Sequence, residues 1–206
     1  MRIAVLIISF VLMAVSTVIV ITKGAIEPVV RNIIYIHVPA SICSLICFGG
    51  LFVFSIMYLI KKKPIFDYLG AASAEVAFVF ATVLNITGML FAKAEWGLWW
   101  SPSIRLISSA ILWFLAAAYL ILRSSFNGQG NKANLCAVFG VIAFVDVPFV
   151  YISARLMRDI HRPNFSFDSD WQSAALGLAI LATIILASVL IWVRADIENL
   201  NERLNS

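Results

Sequence analysis

The sequence predicts an all-α polytopic membrane protein, a bundle of six transmembrane helices joined by short loops. Three observations carry this. Of 206 residues, 62% are hydrophobic and 13% charged, against roughly 45–50% and 25% in an ordinary soluble domain. Mean hydropathy is +0.98. The apolar residues fall into six runs, each long enough at about 1.5 Å per residue to cross about 30 Å of hydrocarbon.

The first run, near 3–21, follows Arg2 and looks like a signal sequence. Its apolar stretch exceeds a typical h-region and no small-x-small site precedes Lys23, so a retained anchor is expected. The second, near 39–60, opens at Pro39 and closes on Lys61-Lys62-Lys63. The third, near 68–91, holds Glu75 and Asn85. Before the fourth, near 104–122, Ser101-Pro102 reads as an N-cap followed by proline at the first helical position, which puts Arg105 in the first turn. Trp96, Trp99 and Trp100 lead into it with a helical spacing that would place them on one face. The fifth run, near 133–152, contains Asp146 and Pro148, and the proline predicts a kink. The sixth, near 172–193, leads into a polar tail, Asp196–Ser206, expected to be a helix end. The other breakers, Pro28, Pro64, Pro163 and Asn127-Gly128-Gln129-Gly130, fall at span boundaries. Residues 1–206 read as one membrane domain, without the internal duplication of an inverted-repeat transporter.

Net charge is +4. The triple lysine is the densest cationic run, and the positive-inside rule assigns it to the cytoplasm. Both termini then lie inside, and loops 22–38, 92–103 and 153–171 lie outside. Eight basic residues inside against seven outside is a weak bias, so the orientation rests on the lysines, and the outer arginines invite an anionic ligand. No basic run interleaved with aromatics points to nucleic acid. Three cysteines without Cys-x-x-Cys-His exclude a c-type cytochrome. Cys43 and Cys47, four apart on a helix, suit packing better than a disulfide, and Cys136 reads the same way.

The chain has two histidines, His37 in Tyr35-Ile36-His37-Val38-Pro39 and His161 in Asp159-Ile160-His161-Arg162-Pro163. Each alone is either a solvated boundary residue or a ligand. The predicted topology puts both on the outer side with Trp96-Gly97-Leu98-Trp99-Trp100, and two imidazoles beside an aromatic wall suit a haem with His on both iron faces. Pro39 favours an extended segment before it, holding the imidazole off the helix. The tryptophans are either an interfacial belt or a haem platform. Arg155, Arg158 and Arg162 share one side of a continued fifth helix, to meet lipid headgroups or haem propionates. Arg158 lies one turn before His161, and Arg105 and Lys93 are further propionate candidates. Two acids fall inside spans, Glu75 and Asp146. Asn85 comes out near the depth of Asp146, predicting a hydrogen bond between them, either a support beneath the haem or a structural link.

On these residues the chain resembles the haem-handling membrane protein family, and within it the CcmC branch (haem exporter protein C). The resemblance covers roughly residues 30–195: six spans, Tyr35-Ile36-His37-Val38-Pro39, Trp96-Gly97-Leu98-Trp99-Trp100 ahead of Arg105-Leu106, and a histidine after span five. It implies that His37 and His161 are the axial ligands of a non-covalent b-type haem, and that the Trp-rich loop presents haem to a chaperone of CcmE type. It also implies a CcmD-like small subunit and a CcmAB-type ABC transporter as partners. One departure stands out. Where the family motif continues Trp-Trp-x-Trp-Asp, this chain has Pro102 and Ser103 in the last two positions, so the motif's carboxylate charge is missing.

The expected role is a carrier in the prokaryotic plasma membrane, not an enzyme. The alternatives are a b-type electron-transfer cytochrome, a permease using Glu75 and Asp146, or a haem-attaching synthetase. The last would be larger and carry histidines within its spans.

Overall fold

The computed structural model describes residues 2–23, 32–100, 103–125, 129–156, 167 and 169–205. Among them seven helices occur: α1 (Arg2–Lys23), α2 (Ile34–Lys61), α3 (Pro64–Trp96), α4 (Ile104–Ser125), α5 (Gln129–Ala143), α6 (Asp146–Leu156) and α7 (Asp170–Asn205). Six stretches are long and apolar enough to cross a membrane, with α5 and the start of α6 together forming the fifth. Pro148 explains the break. It has no N–H for the Phe144 carbonyl and its ring crowds that carbonyl, so α5 stops at Ala143 and α6 restarts at Asp146. The tail after the sixth apolar run continues α7 to Asn205.

Two helix starts differ from expectation. α2 begins at Ile34, so His37 lies within it and is not held on an extended segment; Pro39 sits one turn in, where it leaves only the Tyr35 carbonyl without its helical partner. α4 begins at Ile104 and its cap is Ser103: the Leu106 N–H donates to Ser103 Oγ at 3.3 Å and the Ile107 N–H to the Ser103 carbonyl at 3.0 Å. Ser101 and Pro102 lie outside the described residues. Arg105 does fall in the first turn.

Consecutive spans run antiparallel, and side-chain contacts fix the register. α2 meets α3 at His37–Thr87 and Gly50–Ser73. α3 meets α4 at Asn85–Ser109 and Thr82–Trp113. α7 meets α3 at Arg194–Glu75. The bundle therefore has a histidine end, with the start of α2, the end of α3 and the starts of α4 and α7. The opposite, lysine end holds the α2–α3 turn, the end of α4, the start of α5 and the end of α7. α1 lies outside against α7, where Ser9 Oγ donates to the Ala182 carbonyl at 2.9 Å and Ser16 Oγ to Ala175 at 2.8 Å.

Lipid tails remove the hydrophobic drive between helices, so close backbone approach and polar links hold such a bundle together. α3 supplies the first with Ala71, Ala72, Ser73, Ala74, Ala77 and Ala81, all buried. Gly140 is the tightest crossing. A Cβ there would run into Ser55 Oγ and come within 3.0 Å of Leu51 Cδ1. The three cysteines are free thiols buried in this core, as packing residues should be.

Candidate functional site

At the histidine end, α2 turns the His37 ring onto α3. His37 Nδ1 lies 2.9 Å from Thr87 Oγ1. The Thr87 hydroxyl donates to the Val83 carbonyl at 2.6 Å, so its oxygen accepts from Nδ1–H. With the hydroxyl proton on Val83, that arrangement favours the tautomer that puts the ring's lone pair on Nε2. Gly88 lies beside the ring, where an added Cβ would meet His37 Cε1 at 3.4 Å, in van der Waals contact. A metal-binding imidazole is commonly oriented in this way, by a partner holding its other nitrogen.

Trp96 follows on α3, about 13.5 Å along the helix from Thr87 at about 1.5 Å per residue. Gly97 stops the helix with φ +74°, its N–H donating to the Lys93 carbonyl at 3.1 Å. Trp96 stays on the helix, edge-on to Phe91 at 5.6 Å. Trp99 and Trp100 lie past the cap and do not continue a helical face, because the glycine redirects the chain. They are 53% and 39% exposed, too open to be core. Lys93 braces the segment: its Nζ donates to the Gly97 carbonyl at 2.9 Å and lies 5.8 Å from the Trp99 ring centre.

His161, Arg158 and Arg162 lie outside the described residues, and Arg155 is in the last turn of α6. α6 runs toward the histidine end, so its last turn lies on the side of His37 and the tryptophans. The predicted Asn85–Asp146 bond is not formed. Asn85 Nδ2 donates to the carbonyls of Ala81 at 2.8 Å and Ser109 at 3.2 Å, and its Oδ1 accepts from Ser109 Oγ. α4 lies beside α3 at that level and takes up the amide, leaving Asp146 Oδ2 buried without a partner among the described residues. Thr87 is the residue beneath the imidazole that sequence reading missed.

Glu75 is not a lone intramembrane acid. Arg194 grips it with two bonds, Nε to Oε2 at 2.5 Å and Nη2 to Oε1 at 2.9 Å. From there a ladder of charge descends to the lysine end. Arg194 reaches Glu198 at 3.1 Å, Glu198 reaches Arg123 at 3.2 Å, and Arg123 pairs with both Asp67 oxygens at 2.9 Å. This network ties α3, α4 and α7 together.

A family model described as heme exporter protein C (CcmC) matches residues 1–205. Over 157 residues the chain is 28% identical to a ccmC-like mitochondrial cytochrome c biosynthesis protein of Marchantia polymorpha, covering 76% of this chain and 66% of that one. It is 28% identical over 131 residues to heme exporter protein C of Escherichia coli K12, covering 64% and 54%. With heme exporter protein C of Rhodobacter capsulatus it shares 25% over 179 residues, covering 81% and 73%. The chain spans about half to two thirds of the length of the first two relatives.

Proposed function

This chain belongs to the heme exporter protein C family, and from that premise we propose that it holds a non-covalent b-type haem at its histidine end and hands it on for cytochrome c maturation. The observation that supports the proposal is the contact of Thr87 with His37 Nδ1, which orients the ring and, with the proton on Nδ1, would present Nε2 as a ligand. The donor set suits a haem: an oriented imidazole, exposed flat aromatics beyond it, and Arg105 in the first turn of α4 at the same end of the bundle.

A bound haem would supply a redox-active iron that takes imidazole ligands and two anionic propionates. His37 Nε2 and His161 would hold the iron. Trp99 and Trp100 would offer the porphyrin an apolar face, with Trp96 anchoring the segment. Arg105 and Arg158 would pair with the propionates. With the iron held by two protein imidazoles, the role would be that of a carrier and not a catalyst. Ser103, at the position of the family's aspartate, keeps the helix cap and gives up the charge. The chain would then meet its acceptor with one negative charge fewer.

The lysine end would face the cytoplasm and the histidine end the outer side of a prokaryotic plasma membrane. Partners would be a chaperone of CcmE type, a CcmD-like subunit and a CcmAB-type transporter. The test mixes the haem-loaded chain with an apo-chaperone of CcmE type and, separately, with a quinol. Haem passing to the chaperone, with slow reduction by quinol, is expected. Haem that stays in place and is rapidly reduced would replace this reading with electron transfer.

A further inference from the structure

The lysine end, opposite the candidate haem site, holds a polar cavity of about 170 Å³ where α2, α3, α4, α5 and α7 converge. Its lining carries both signs of charge, but the carboxylates are already engaged. Asp67 gives both oxygens to Arg123. Glu198 divides its two between Arg123 and Arg194. Glu202 accepts from the Tyr68 hydroxyl.

The donors are in the opposite condition. Among the described residues the Lys132 ammonium and the Tyr58 hydroxyl have no hydrogen-bond partner, while lining the same cavity. Lys62 donates one proton, to Asn134 Oδ1 at 2.5 Å, and has two left. Its backbone is also unusual. Lys62 closes α2 in the left-handed region at φ 53°, the one described non-glycine residue with positive φ. Glycine is the usual residue at such a helix end. A lysine kept there places its side chain over the Tyr58 ring at 5.3 Å and into the cavity wall.

The charged lining groups that keep protons to donate and pair with none of these carboxylates are Lys62 and Lys132, from the cap of α2 and from α5, with the Tyr58 hydroxyl of α2 beside them. We propose that this cavity binds a phosphate group, held by Lys62, Lys132 and Tyr58. Arg123 lies behind them, neutralised by its own carboxylates, so it adds shape and not net charge. Two sources fit this chemistry: the headgroup of an anionic phospholipid in the leaflet at this end, or a soluble phosphate. The site is independent of the haem proposal, because its residues lie at the other end of the bundle.

The experiment titrates the purified full-length chain in detergent with short-chain phosphatidylglycerol and, separately, with inorganic phosphate. Thermal unfolding is followed at constant ionic strength. At least one probe is expected to raise the unfolding midpoint saturably. Lys132→Gln with Tyr58→Phe should weaken its apparent affinity ten-fold or more, whereas Lys61→Gln with Lys63→Gln, outside the cavity, should leave it unchanged. A response to the lipid alone assigns a headgroup site, and one to phosphate alone assigns a soluble ligand. No saturable shift with either probe, or parental affinity in the cavity variant, would overturn the proposal. Loss of the response in the Lys61, Lys63 variant would do so too, by reducing the effect to general surface charge.

Discussion

Replacing Thr87 by valine removes one oxygen and leaves the shape nearly intact. In the parent that oxygen lies 2.9 Å from His37 Nδ1 and 2.6 Å from the Val83 carbonyl, and with its proton on Val83 it would accept from Nδ1–H. Valine leaves the Nδ1–H without this acceptor, at a penalty of about 1–3 kcal/mol for a buried donor. The ring is half-buried, which favours the lower part of that range. It also releases the ring to take the other tautomer, with the proton on Nε2 and no lone pair there for iron. At about 1.4 kcal/mol per factor of ten, haem affinity should fall about ten-fold, within the roughly 10–100-fold typical of residues that orient a metal ligand. The assay is haem titration of the purified chain, reading affinity and the share of five-coordinate haem. Thr87→Val should raise that share, and Thr87→Ser, which keeps the acceptor, should restore the parent. Parental affinity and coordination in Thr87→Val would refute the assignment of Thr87 as the positioning residue.

The other expectations concern the loop and the frame that holds it. Trp99→Ala with Trp100→Ala should lower haem affinity or transfer while leaving unfolding unchanged, since both rings are exposed; a change in unfolding alone would favour the interfacial belt. Arg123→Met strands Asp67 in a nearly dry site, both side chains being about one-tenth exposed. It should destabilise the chain by about 3–5 kcal/mol, and adding Asp67→Leu should recover much of the loss, read from unfolding in mixed micelles. Gly140→Ala should cost about 1–3 kcal/mol through overpacking against Ser55 and Leu51, with partial rescue by Ser55→Gly in the same assay.

Much of this was legible in the sequence because hydrocarbon permits few solutions. A run of apolar residues must be helical to satisfy its own backbone, so the spans and the fifth-span break beside Pro148 could be read directly. Partners between spans were harder. Apolar runs show no strong face, and matching Asn85 to Asp146 by depth ignored which helices are neighbours. The two-residue turn at Lys62-Lys63 contained the missing information. Residues equally far from that turn must face each other across α2 and α3, and His37 and Gly88 are such a pair, with Thr87 beside them. The charge ladder was hidden for a related reason. Arg194 and Glu198 looked like the polar end of a span, whereas α7 continues as helix and returns them to Asp67, Glu75 and Arg123. The Trp segment has helical spacing, but Gly97 in the left-handed region ends α3 before Trp99 and Trp100 can share a face with Trp96.

The absorption spectrum of the haem-loaded chain, beside His37→Ala, His161→Ala and the double variant, is the most direct measurement. A low-spin six-coordinate spectrum is expected in the parent, five-coordinate haem in each single variant, and no bound haem in the double variant. A parent that takes up no haem when supplied with it, or a low-spin spectrum that survives loss of both imidazoles, would contradict the assignment at its root.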